Sequence, residues 1–161
     1  TDGPPLLSIY GGKLTTYRKL AEDVLDLLAP QLRCCAPHWT AGRPLPGGDL
    51  PHADFDAFLR VLGERHRWMP AALLRRYARA SGSRAGRILD GATSLADLGE
   101  EILPGVHARE IDYLRREEWA MTAEDILYRR SKLALHVPAD SAARLDAWLQ
   151  QHPLPAVGAA P

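Results

Sequence analysis

The first thirty residues show two hydrophobic patterns separated by a pair of glycines. Residues 6–10 are almost all apolar or aromatic, as in a buried strand. After Gly11 and Gly12, apolar side chains recur at helical spacing, at Tyr17, Leu20, Ala21, Val24, Leu27 and Leu28. We therefore predict a strand, a tight turn and a helix over about 15–29, which ends where Pro30 removes a backbone donor.

Most of the remaining chain has helical periodicity. Residues 30–53 are rich in proline and glycine and are predicted to be a linker loop. Residues 93–105 are acidic and rich in turn formers, and we expect them to link short pieces. Further helices are predicted over about 54–68, 70–81, 83–89, 107–120 and 140–152, with one more after a capping box at 122–125. Residues 153–161 are predicted to be a flexible tail.

The predicted fold class is mostly α, a compact bundle of about six helices preceded by one orphan strand. The strand has no partner elsewhere in the sequence, so its backbone groups would be left without a ladder. We expect it to be disordered, rearranged or paired with another copy of the chain.

Charge and composition argue against several classes of function. The chain has 20 basic and 20 acidic residues and a formal net charge of zero, which argues against general attraction to nucleic acid or anionic lipid. No apolar run approaches the roughly 20 residues of a transmembrane helix. Cys34 and Cys35 are adjacent, but the four ligands of a structural zinc site are missing. We predict two reduced thiols, no metal site and no transmembrane segment.

The glycine turn is the leading candidate site. A helix that begins just after it directs free N–H groups and a partial positive charge at whatever binds there, and Lys13 adds a full charge. This suits an electron-rich ligand. The turn is not a Walker A loop, because the diagnostic positions hold Leu7 and Leu14. From the residues alone, an ordinary connection with a solvated lysine is an equally good interpretation.

Two stretches resemble one known family. Residues 8–21, Ser-Ile-Tyr-Gly-Gly-Lys-Leu-Thr-Thr-Tyr-Arg-Lys-Leu-Ala, resemble the last flavin-domain segment of the FAD-dependent glycerol-3-phosphate dehydrogenases and α-glycerophosphate oxidases. Residues 118–133, Glu-Trp-Ala-Met-Thr-Ala-Glu-Asp-Ile-Leu-Tyr-Arg-Arg-Ser-Lys-Leu, resemble the C-terminal helical domain of that family. The family's Gly-x-Gly-x-x-Gly, which holds the FAD pyrophosphate, is absent from this sequence. The resemblance thus implies the C-terminal piece of such an enzyme.

The resemblance also implies a domain organisation. Residues 1–29 would be the last strand–turn–helix segment of the FAD and substrate domain, and residues 54–152 the helical domain. The loop between them, residues 30–53, either lies against the flavin domain or is a mobile linker.

The activity that the resemblance implies is oxidation of sn-glycerol 3-phosphate to dihydroxyacetone phosphate. Electrons would pass through FAD to quinone, or to oxygen in the oxidases, in a cytoplasmic enzyme peripheral to the inner membrane. Gly11 and Gly12 would lie beside the flavin, the amides of Leu14 and Thr15 would approach its pyrimidine edge, and Lys13 would bind substrate. No catalytic acid or base is assigned to this chain. We expect the chain alone to bind no FAD and to be inactive.

The second stretch holds the candidate domain-interface residues Asp125, Arg129 and Arg130. The simpler interpretation of these residues is helix capping and surface charge. The alternative is that an arginine bridges to a carboxylate of the flavin domain and fixes the orientation of the two parts.

Two other function classes stay open. A helical bundle fits an interaction or dimerisation module, whose partner is its own flavin domain, a second copy or a membrane partner. The arginine-rich run over residues 74–87 fits a nucleic-acid-binding helix-turn-helix, although the balanced charge favours no nucleic-acid partner.

Overall fold

The protein divides into two compact units, residues 1–44 and residues 45–161. The structure is a computed structural model that describes residues 6–33 and 36–154. Cys34, Cys35 and most of the predicted tail lie outside the described residues. Within them the fold is mostly α, as predicted, with six α-helices and one two-stranded sheet. None of the helices in this part is long and apolar enough to cross a membrane.

The first unit contains one long helix, α1, Tyr17–Leu32, which follows a 3₁₀ turn over Leu14–Thr16. Residues 6–13, which include the predicted orphan strand, form no regular structure. The predicted helix end at Ala29 is wrong, because α1 continues past Pro30. A proline in the last turn removes only one helical donor, and the backbone N–H of Arg33 still closes the helix on the carbonyl of Ala29.

The second unit begins with three helices, which lie where the sequence predicts helices. Helix α2, Phe55–Arg65, is capped by Asp54, whose carboxylate accepts the N–H of Ala57 at 2.9 Å. Helix α3, Ala71–Ser81, starts after Pro70 and stops at Gly82, which confirms that prediction. Helix α4, Ala85–Ile88, has only four residues. It is too short to act as the recognition helix of a helix-turn-helix.

A small hairpin lies at the end of the segment over residues 93–105, which the sequence predicts only to link short pieces. Strands β1, Glu101–Leu103, and β2, Val106–His107, pair antiparallel, with Glu101 opposite His107. The turn between them is closed by the N–H of Gly105, which donates to the carboxylate of Glu101 at 2.6 Å. The sequence does not predict the hairpin itself, because strands of three and two residues are too short to show alternation.

The hairpin leads into the last part of the second unit. Helix α5, Ala108–Glu117, follows directly, and the capping box at Thr122 opens a π-wound turn, Asp125–Arg130. A 3₁₀ turn, Leu133–Leu135, and helix α6, Ser141–Gln151, complete the unit.

The hydrophobic core lies entirely in the second unit. Every buried hydrophobic residue in the described part of the chain lies between Leu62 and Leu145. The most deeply buried large side chains come from α3, α4, α5, α6, the hairpin and the π-wound turn, and include Tyr77, Ile88, Leu103, Ile111, Ile126 and Leu145. Burial of these side chains therefore gives this unit a hydrophobic driving force for folding.

Two segments of this unit cross in close contact at Gly47 and Gly82. The backbone N–H of Ser83 donates to the carbonyl of Gly47 at 3.0 Å. A Cβ added to Gly82 would stand 1.9 Å from that carbonyl oxygen, and one added to Gly47 would stand 2.5 Å from the carbonyl oxygen of Ser81. Both glycines also have positive φ angles, +87° and +55°. The crossing fixes the loop before α2 against the end of α3.

Candidate functional site

The candidate site in the first unit is the turn that precedes α1. Gly11 and Gly12 have φ angles of +79° and +111°, in the region that favours glycine. A Cβ on Gly12 would come within 3.1 Å of the side chain of Leu20. A Cβ on Gly11 would meet nothing within 4 Å. One glycine therefore allows α1 to pack close to the turn, while the other leaves open space in front of it.

The start of the helix keeps two backbone donors free. The backbone of Lys13 is engaged with Thr16, because its N–H donates to Oγ1 of Thr16 at 3.3 Å and its carbonyl accepts the N–H of Thr16 at 3.0 Å. The N–H groups of Leu14 and Thr15 have no acceptor among the described residues, and both residues are exposed. The turn thus presents two adjacent amide donors.

Electrostatics at this turn favour a negatively charged ligand. No acidic side chain lies in the first turn of α1 or in the 3₁₀ turn before it. Instead, the exposed Lys13 lies at the positive end of the helix, where a cation is unfavourable by itself. An anion placed there would interact with the lysine, the free amides and the helix dipole at once.

A polar cluster holds the segment over residues 36–44 against α1. Glu22 is buried, and its carboxylate accepts hydrogen bonds from Arg18 at 2.7 Å and from the hydroxyl of Thr40 at 2.5 Å. The Thr40 hydroxyl, with Arg18 and His38, holds the pKa of Glu22 below its usual value. His38 also contacts Asp26 at 2.7 Å. The sequence gives little sign of this cluster, and only the i, i+4 spacing of Arg18 and Glu22 hints at it.

The large apolar side chains of the first unit remain mostly exposed. Leu25, Leu27 and Leu32 on α1 are 53%, 64% and 59% exposed. Tyr10 and Leu14, on either side of the candidate turn, are also exposed. Apolar area of this extent on one helix is typical of a surface that packs against other protein.

The predicted domain-interface residues lie in the second unit. The carboxylate of Asp125 accepts the N–H groups of Met121 and Thr122 at 3.0 Å, which confirms the predicted capping box. These bonds and that from Arg129 hold the pKa of Asp125 well below its usual range. Arg129 donates to Asp125 and to Glu124 at 2.7 Å each.

Arg130 differs from its neighbour. It has no ion pair within the described residues and is exposed. It lines a groove of about 630 Å³ together with Trp119, which is 80% exposed and has a φ angle of +54°. The capping interpretation therefore fits Asp125 and Arg129, and Arg130 remains free to contact other protein.

Comparison with known proteins identifies relatives along almost the whole chain, although no family model matches it. The chain is 50% identical over 151 residues to a glycerol-3-phosphate dehydrogenase of Pseudomonas aeruginosa, a match that covers 93% of the chain and 29% of the relative. It is 40% identical to the aerobic glycerol-3-phosphate dehydrogenase of Escherichia coli, over 92% of the chain and 29% of the relative. It is also 40% identical to the D-erythritol 1-phosphate dehydrogenase of Brucella abortus, over 92% of the chain and 30% of the relative.

These matches confirm the resemblance found in the two sequence stretches, and they extend it across most of the chain. The chain spans less than a third of the length of these relatives. Over that span, the chain belongs to the glycerol-3-phosphate dehydrogenase family.

Proposed function

We propose that this chain forms one wall of the active site of an FAD-dependent enzyme that oxidises sn-glycerol 3-phosphate to dihydroxyacetone phosphate. The observation that carries the proposal is the start of α1, where an exposed lysine and two backbone amides without an acceptor among the described residues follow a glycine turn. Such a site stabilises negative charge, and both the substrate phosphate and a reduced cofactor ring supply it.

The residues at the turn fit a flavin. When bound, FAD would accept the hydride from C2 of the substrate. The open space in front of Gly11 allows a flat ring to approach the backbone. The N–H groups of Leu14 and Thr15, which have no acceptor in the described part of the chain, would donate to the ring's electron-rich edge. A preorganised donor pair of this kind stabilises charge without reorganising during the reaction.

Lys13 is the proposed substrate contact. Its ammonium group is a compact charge on a flexible stem, which suits a phosphate monoester. The helix dipole would add to the attraction. The proton acceptor for the substrate hydroxyl is not assigned to this chain.

The first unit supplies one rim of such a site, so we propose that the isolated chain binds no FAD and is inactive. The exposed apolar residues of α1 would pack against the flavin-binding part of the enzyme, and Arg130 would reach one of its carboxylates. In the whole enzyme, which we propose is peripheral on the cytoplasmic face of the inner membrane, the electrons would pass to quinone.

A chimera tests this proposal directly. Residues 6–154 would replace the matching segment of the Pseudomonas aeruginosa relative, and FAD content and glycerol 3-phosphate oxidation would be measured. We expect a flavin-loaded, active enzyme. In the chimera, Lys13→Gln should raise KM for glycerol 3-phosphate at least about tenfold and leave FAD content unchanged, because a charged hydrogen bond contributes about 1.5–3 kcal/mol.

Two further variants sharpen the test. Leu14→Pro removes one of the two amide donors, and the extended backbone of Lys13 is compatible with a following proline. This change should lower the rate of flavin reduction. Lys19→Gln is the matched control, since Lys19 is a helix lysine paired with Asp23 at 2.9 Å. Equal effects of Lys13→Gln and Lys19→Gln would refute the assigned role of Lys13.

A further inference from the structure

A second basic site lies in the other unit, on the exposed side of α3. A groove of about 440 Å³ runs between α3 and the segment over residues 131–136. Its volume is within the range of small-molecule sites. The residues that line it are Ala72, Arg75, Arg76, Arg79, Ala80, Ser131, Leu133 and His136. Within the described part of the chain, this lining contains three arginines and no carboxylate.

The three arginines differ in whether they already have an ion-pair partner. Arg76 is already neutralised, because its guanidinium binds both carboxylate oxygens of Glu110, at 2.5 and 2.7 Å, and the carbonyl of Gly105. It forms a fixed wall of the groove. Arg75 and Arg79 are exposed and have no ion pair among the described residues. Two positive charges therefore remain without a counter-charge.

Among the described residues, no acidic side chain lines this groove, and Glu117, Glu124 and Asp125 bind other arginines. Glu124 and Asp125 precede the groove segment in sequence, and both bind Arg129. Arg79 also lines the larger groove, where its guanidinium lies 6.0 Å from the ring centre of Phe55 and where Glu117 is paired with Arg87. Glu118 lines the larger groove there but not this one.

We propose that this groove binds a phosphate group. Guanidinium groups match the geometry of phosphate oxygens and bind them in pairs. His136 adds a ring N–H donor at the same groove, and Leu133, Ala72 and Ala80 supply apolar walls for the organic part of an ester. The groove belongs to the second unit and the turn at Lys13 to the first, and this proposal does not depend on the function proposed for that turn.

The test uses the whole 161-residue chain in two titrations, each followed by amide NMR. The first adds inorganic phosphate against sodium chloride at equal ionic strength. The second adds vesicles of phosphatidylglycerol against vesicles of phosphatidylcholine. Selective shifts at residues 72–80 and 131–136 with phosphate support a free phosphate ester as the ligand. Selective binding to the anionic vesicles alone supports a lipid headgroup.

Variants make either result specific. The double variant Arg75→Gln/Arg79→Gln should weaken the binding at least about tenfold. Arg60→Gln on α2, an exposed arginine outside the groove, should leave it unchanged. Lys13→Gln should abolish only shifts at residues 11–16, which separates this site from the first. Phosphate effects equal to those of chloride, with vesicle binding insensitive to the double variant, would overturn the proposal. So would shifts that persist in the double variant.

Discussion

The two units bury opposite kinds of residue. In the second unit the interior is apolar, with Ile126 and Leu145 fully buried. In the first unit the only buried residue of α1 is Glu22, and the leucines of the same helix are exposed. A unit stabilised by one polar cluster has little hydrophobic driving force of its own. The first unit therefore leaves the apolar side chains of its helix exposed, whereas the second unit buries its own.

The largest effect should come from deleting core volume. Leu145→Ala removes a fully buried side chain and should lower the free energy of unfolding by about 2–5 kcal/mol. Leu27→Ala, at a site that is 64% exposed, should change it by less than about 0.5 kcal/mol. Urea unfolding followed by circular dichroism measures both. Similar losses for the two variants would contradict the contrast between the units.

A smaller effect is expected from the two buried glutamates. Glu110→Gln leaves Arg76, whose side chain is 26% exposed, without its counter-charge, and should cost about 2 kcal/mol. Replacing both residues by methionine should recover part of that loss, because no charge is then left unpaired. The same single change in the first unit, Glu22→Gln, should leave the urea midpoint unchanged and only accelerate hydrogen exchange in α1. A midpoint shift as large as that of Glu110→Gln would show that the polar cluster supports the whole fold.

The smallest effect concerns acidic side chains at the starts of helices and turns. Asp54, Asp97 and Asp125 accept backbone N–H groups there in the second unit, and no acidic residue does so in the described part of the first. The N–H groups of Thr93 and Ser94 lower the pKa of Asp97 from 3.8 to about 2. A lowered pKa stabilises the fold above pH 4, and that contribution is lost as the pH falls towards 2. Asp97→Asn should therefore reduce stability at pH 7 and flatten the acid side of the stability profile, as measured by thermal unfolding between pH 7 and pH 2. An unchanged profile would mean that the cap contributes nothing.

Much of the second unit could be predicted from the sequence, because the residues that start and end its helices lie next to those helices in the chain. Pro70 and Gly82 bracket α3, and the capping box at Thr122 is formed as predicted. The π-helical turn after that box could not be predicted. A π-helix of six residues, Asp125–Arg130, is too short to leave a recognisable period in the sequence. The hairpin was missed because its pairing depends on five residues and a turn.

The candidate site was readable only in part. The glycines and Lys13 stand out in the sequence, and the structure shows that the helix start after them is open. The Glu22 cluster was not predictable, because Thr40 and Glu22 are 18 residues apart and no pattern connects them. Long-range polar contacts of this kind depend on how a loop folds back, which periodicity does not encode.

The crossing of Gly47 and Gly82 limits how this chain can vary. At either position, even a single methyl group would collide with a backbone atom of the other strand of chain, so no exchange at one site can be compensated by a change of side chain at the other. Gly86, only four residues later, has open space around it and an ordinary φ angle. Among relatives, other residues should therefore be found in place of Gly86 but not in place of Gly82.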